Sequence, residues 1–96
     1  MTREYILAKL QENKSYIQQE FGVEKIGLFG SYATNKATQE SDIDIFVSCK
    51  ETKFRTLARL WNYLEALYNK KIDLFREHKN SKGALYEQIK KETIFI

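Results

Sequence analysis

Three aspartates and a Gly-Ser pair hold the chemistry of this chain. Gly30-Ser31 closes the run Gly27-Leu28-Phe29-Gly30-Ser31, and after ten intervening residues comes Asp42-Ile43-Asp44-Ile45-Phe46-Val47. A β-strand points alternate residues to one face, so Asp42 and Asp44 would present both carboxylates together. A third acid, Asp73, sits in the next strand-like run, Lys71-Ile72-Asp73-Leu74-Phe75. Clustered carboxylate oxygens suit magnesium, which prefers hard ligands and keeps other positions for water and phosphate. Two such ions ~3.5–4 Å apart stabilise both the attacking and the leaving oxygen of a phosphoryl displacement. Asp42, Asp44 and Asp73 are therefore the expected metal ligands and catalytic acids, with Asp73 as the base for an incoming hydroxyl and its pKa held down by the metals. Gly30 has no side chain, so the backbone N–H groups around it can approach phosphates, and Ser31 adds a hydroxyl donor. A short helix starting at Ser31 would favour an anion there further.

Those residues need elements to hold them. Residues 2 to 20 place Ile6, Leu10 and Ile17 among charged and amide residues, with Thr2 as N-cap, and read as one amphipathic helix ended by Phe21-Gly22. Val23 to Phe29 reads as a buried strand running into a turn, since Gly27 and Gly30 both disfavour a helix interior. Residues 31 to 41 read as a short helix and a loop, and Asp42 to Ser48 as the second strand. Between Lys53 and Asn69, Phe54, Leu57, Trp61, Leu64 and Tyr68 recur at steps of three and four and draw a helical stripe expected in the core. Lys70 to Arg76 forms a third strand, with Asp73 and Phe75 on one face and Ile72 and Leu74 on the other. A last helix runs from about Ser81 to Lys91. The pattern is a small α/β fold, a mixed sheet of about three strands flanked by helices.

Composition narrows the class. Ninety-six residues, 43% hydrophobic and without proline, are read as one domain over residues 1–96 with a single core. A lone Cys49 offers no internal disulfide, and no signal-like or membrane-length apolar run is seen, which points to a cytoplasmic protein off the membrane. The net charge of +3 is spread along the chain and fits an ordinary solvated surface. With no extended basic arm, no direct nucleic-acid binding is expected. His78 has no second His or Cys at ligand spacing, which argues against zinc. Tyr32 and Cys49 read as packing residues. Ile94-Phe95-Ile96 either packs back on the sheet, the preferred reading, or docks on a partner. The competing reading of Asp42 and Asp44 is a pair of solvent-facing residues on an antiparallel strand with Ile43, Ile45 and Val47 packed inside, that of Asp73 a surface ion pair with Lys71, and that of Ser31 a simple helix cap.

The order Gly30-Ser31, Asp42-x-Asp44, helix, Asp73 resembles the minimal nucleotidyltransferase (MNT) family of the DNA polymerase β superfamily, and the resemblance covers nearly the whole chain. It implies the polymerase β-like nucleotidyltransferase fold, ATP as substrate and two magnesium ions. It also implies a partner, a HEPN-domain toxin of a two-gene toxin–antitoxin module, in a hetero-oligomer. The implied activity is that of an antitoxin transferring AMP from ATP to a tyrosine of that toxin. Relatives often read Gly-Ser-x-Ala-Arg-Gly-Glu-Ala here, whereas this chain has Thr34, Asn35 and Lys36 at the last variable positions before Ala37. Asn tolerates the left-handed backbone, so the turn is expected to survive. Lys36 is expected to supply a nucleotide-binding charge in place of the missing arginine. These departures motivate an alternative, a non-catalytic antitoxin that neutralises the toxin by complex formation. Aminoglycoside nucleotidylation fits the motif but not a chain of this length, and tRNA modification is disfavoured by the lack of an extended basic arm or RNA-binding module.

Overall fold

The computed structural model describes residues 1–51, 53–78 and 81–96. Thr2 caps the first helix, α1 (Arg3–Glu12), by accepting the Tyr5 backbone N–H at 3.1 Å. The single helix expected over residues 2 to 20 is divided at Asn13, whose side chain donates to the Lys9 carbonyl at 2.8 Å. Asn competes with the helix for backbone partners in this way, and a second helix, α2 (Lys14–Phe21), restarts beyond it. Gly22, at φ +65°, ends α2 in the left-handed conformation.

Strand β1 (Val23–Phe29) leads into a single helical turn, α3 (Gly30–Ala33), then β2 (Ile43–Cys49), α4 (Phe54–Tyr68), β3 (Ile72–Arg76), α5 (Ala84–Glu92) and β4 (Ile94–Phe95). The sheet order is β3-β2-β1-β4, with β1 antiparallel to both β2 and β4, and β2 parallel to β3. The sheet is mixed, as expected, and gains a fourth strand from the C-terminal residues. Gly27 admits that strand, because a Cβ there would lie 2.6 Å from Thr93 Cγ2 and 2.7 Å from the Ile94 carbonyl oxygen. Ile94-Phe95-Ile96 thus packs back on the sheet, with the Ile96 N–H donating to the Ile26 carbonyl.

Alternation sorts the strands into two unlike faces. Ile26, Leu28, Ile43, Ile45, Val47 and Ile72 are buried with Ile6, Leu10, Ile17, Phe21, Leu60, Leu64 and Tyr68 from α1, α2 and α4. The opposite face bears an aromatic cluster: Phe46 stacks on Phe75 with ring centroids 5.6 Å apart, and Phe95 meets Phe46 edge-on at 5.4 Å. Phe29 and Tyr86 flank Phe75, and α5 lies over this side without burying any residue of its own fully. Asp44 and Asp73 share this second face, next to the aromatics.

Two residues of the expected core stripe on α4 lie outside it. Phe54, the first residue of α4, is 85% exposed, and Trp61 is 36% exposed at the rim of the sheet. The buried line runs instead through Leu60, Leu64 and Tyr68, with Leu57 partly buried. Helix α4 is tied to the N-terminal helices by Tyr68 Oη donating to the Ile6 carbonyl at 2.8 Å and Tyr63 Oη donating to Asn13 Oδ1 at 3.0 Å. Among the described residues, no helix is long and apolar enough to cross a membrane.

Candidate active site

The turn after β1 brings Gly30 against β2. Gly30 sits at φ +75°, a conformation costly for any residue with a Cβ. A Cβ built there would also fall 2.8 Å from Asp44 Cγ and nearer still to Oδ2. Glycine is therefore required twice over. Ser31 follows at the surface of the turn, partly buried, and its backbone N–H donates toward the Asp44 carboxylate. The turn continues through Thr34, whose hydroxyl donates to the Gly30 carbonyl at 3.1 Å, and through the Lys36 N–H, which donates to the Ser31 carbonyl at 2.8 Å. Asn35 takes φ +60°, the left-handed conformation expected of it. Lys36 is exposed on the following loop, and no side-chain hydrogen bond or ion pair holds its ammonium among the described residues. Arg3 supports the turn from a distance, donating to the Ala33 carbonyl at 3.2 Å. Nothing in the sequence links residues thirty positions apart, so no spacing could have revealed Arg3.

Register joins the acids. Asp44 pairs with Phe29 of β1 on one side and with Asp73 of β3 on the other. Asp42 lies just before β2 rather than inside it, partly buried and near enough for its charge to act on Asp44. Asp73 is exposed, on the outer strand of the sheet. Lys71 forms no ion pair with it.

The electrostatics follow from crowding three carboxylates. The Asp44 carboxyl is pushed up from 3.8 to about 6. Burial is the largest cause, followed by the charge of Asp73, the charge of Asp42 and a hydrogen bond shared with the Asp73 carboxyl, while the Ser31 N–H pulls the other way. None of the three acids forms an ion pair with a Lys or Arg among the described residues. As the side chains stand, no three His, Cys, Asp or Glu of the described residues are closed around a point that could hold a metal ion. The donor set nevertheless has the chemistry of a divalent-cation site: hard oxygens, like charges in contact, and no internal cation to balance them. A cation between Asp44 and Asp73 would reverse the repulsion that raises Asp44.

Sequence and fold comparisons agree with this geometry. The chain is 32% identical to a protein adenylyltransferase, MntA of Thermococcus cleftensis, over 100% of this chain and 97% of the relative. A Methanocaldococcus jannaschii protein named for the same activity is 31% identical over 91% of this chain and 90% of its own length. A solved structure described as a minimal nucleotidyltransferase superposes with a TM-score of 0.82 at 29% identity, covering 98% of this chain and 95% of that one. A variant of the MntA–HpeT toxin–antitoxin complex matches in fold, with a TM-score of 0.66 at 20% identity, over 99% of this chain and 72% of that one. The polymerase beta nucleotidyltransferase family matches residues 11–96, and the chain that sets Gly30, Asp44 and Asp73 side by side belongs to it.

Proposed function

We propose that this nucleotidyltransferase is the antitoxin of a HEPN-toxin pair, a protein adenylyltransferase that transfers AMP from ATP to a tyrosine of its partner. The observation that carries the reading is the contact of Asp44 with Asp73 across β2 and β3, directly beside a glycine whose missing side chain keeps the turn on Asp44. Likeness to MntA supports the adenylyl donor and the protein acceptor. We read residues 1–96 as one such domain, α1 included, because Ile6 and Leu10 belong to the same core as the strands. A cytoplasmic setting suits the free Cys49 thiol.

A nucleotidyltransferase acts on a nucleotide with the help of a divalent metal. Asp42, Asp44 and Asp73 would hold that metal, two magnesium ions in this reading, and when bound it supplies charge neutralisation at the phosphates and at both reacting oxygens. The chain's own residues do the rest. In this reading the Gly30 turn brings backbone N–H groups to the phosphates, Ser31 adds its hydroxyl, and Lys36, exposed on the following loop, would meet the triphosphate. Asp73 lies on the exposed edge, where an acceptor hydroxyl can reach it, and takes the proton of the attacking tyrosine. That tyrosine oxygen bonds to the α-phosphorus as the bond to the leaving pyrophosphate breaks, leaving AMP on the partner. The partner's own surface would form the other wall of the acceptor site.

The first experiment is transfer from α-labelled ATP with magnesium to the cognate HEPN protein, comparing the chain with its Asp42→Ala, Asp44→Ala variant. Label on the partner that disappears with the variant supports the reading. Neutralisation of the toxin by the unlabelled, acid-free variant would favour an antitoxin acting by complex formation. That second reading drew on Thr34, Asn35 and Lys36, but the turn they occupy is intact, with Thr34 bonded to Gly30 and Asn35 in the conformation a glycine would take.

A further inference from the structure

Asp73 stands on an outer strand, β3, and the sheet ladder holds only one side of that strand. In a parallel pair the N–H and C=O of one residue point to the same side, and successive residues alternate. Lys71 and Glu77 bond inward to β2, through Ile43 N–H to the Lys71 carbonyl at 3.1 Å and Glu77 N–H to the Val47 carbonyl at 2.8 Å. Ile72 therefore turns both its polar groups outward, away from the sheet. Both are met by side chains of α4. The Ile72 N–H donates to Glu65 Oε2 at 3.2 Å, and Trp61 Nε1 donates to the Ile72 carbonyl at 2.7 Å. Trp61 and Glu65 are one turn apart on the helix, so they reach the strand together. The carbonyl that Trp61 holds belongs to the same planar peptide group as the Asp73 nitrogen.

We propose that Trp61 and Glu65 are positioning residues, which clamp the peptide groups of Ile72 and so hold the Asp73 carboxylate against Asp44. The inference rests on the reading of Asp73 as a metal-binding and proton-accepting group. It accounts for a tryptophan at the rim, where core packing does not require one, and for a carboxylate whose partner is a backbone amide rather than a cation. Displacements of ~1 Å at a reacting group cost ~100-fold in rate, so even partial loosening is measurable.

Trp61→Phe keeps the aromatic ring and removes the donor. Glu65→Leu removes the acceptor, and Glu65→Gln retains an oxygen that can accept the same bond. Tyr63→Phe removes a hydrogen bond from the same helix, to Asn13, that has no connection with β3, and serves as the control. Trp61→Phe and Glu65→Leu are expected to lower kcat for AMP transfer about tenfold with the KM for ATP within about twofold, while Glu65→Gln and Tyr63→Phe stay near the wild type. Titration with manganese alone, followed by electron paramagnetic resonance, should show affinity weakened at least about threefold in Trp61→Phe and Glu65→Leu but not in Tyr63→Phe. If Trp61→Phe fails to fold, the Glu65→Leu and Glu65→Gln pair decides. Wild-type kcat and manganese affinity in the clamp variants, or losses no larger than that of Tyr63→Phe, overturn the proposal. A wild-type chain that labels no partner would instead refute the adenylyltransferase reading, and the manganese titration would still decide the clamp.

Discussion

A methyl group at position 30 would press into the Asp44 carboxylate on a backbone already at φ +75°. Gly30→Ala is accordingly expected to cost ~1–3 kcal/mol of stability through strain, measured by urea unfolding, and to reduce AMP transfer by at least ~100-fold as Asp44 is displaced. Asp44 gives the chain a pH signature of its own. Its carboxyl is raised from 3.8 to about 6, chiefly by burial and then by Asp73 and Asp42, so between these values the folded chain keeps a proton that the unfolded chain has released. That contribution is fully favourable below the ordinary value and is lost as pH rises through about 6. Urea unfolding of the metal-free chain at pH 4.5 and 7.5 should therefore show Asp44→Asn gaining on the wild type at the higher pH; equal differences at both pH values would refute the coupling. The acids were legible in the sequence because a two-residue period and a fixed spacing expose them. What Asp73 does to Asp44 was not, since it depends on β2 and β3 being neighbours in register, which no local pattern encodes.

The elements show where tertiary contacts overrule local pattern. Strand β4 exists because Gly27 leaves space for it, and it covers the edge of Phe46 with Phe95. Gly27→Val should eject β4: trypsin or chymotrypsin should then cut the C-terminal segment in the folded chain, and the chain should lose ~1–3 kcal/mol to a displaced strand and an exposed aromatic. An unchanged digestion pattern would mean that the sheet shifts to accept the side chain. Helix α4 and the three longer strands follow from apolar periodicity, within a residue or two at their ends, while α5 starts three residues later than expected. A two-residue strand carries too few positions for any period, and the break at Asn13 depends on a side-chain bond within one turn, so neither could be read from hydrophobic spacing. On α4 the expected stripe holds at Leu57, Leu64 and Tyr68 and misses at Phe54 and Trp61, because an apolar arc wide enough to include Trp61 also includes Leu60, and only the position of β3 decides between them.

Across the whole molecule, the sheet divides labour. One face is closed by α1, α2 and α4 into the main core, while the other carries the acids, the aromatic cluster and the lightly packed α5. Most of the buried residues lie on the first face, and the three like charges gather on the second. Divalent cations should reverse that cost: at pH 7.5, magnesium at ~100 times its dissociation constant is expected to stabilise the wild type by about 2.7 kcal/mol, and the Asp42→Asn, Asp44→Asn variant by far less, by thermal unfolding. The same stabilisation in both would place the bound cation elsewhere. The layer architecture was legible from the alternation of helical and strand patterns, but the assignment of the acids to the lightly covered face required the sheet order. One further consequence lies in the indole at the rim. Trp61 is the chain's single tryptophan, and its N–H is bonded to the carbonyl adjoining Asp73. The protein thus contains its own optical probe: the emission of one fluorophore reports both global unfolding and, at native conditions, any ligand that shifts the strand bearing the third acid.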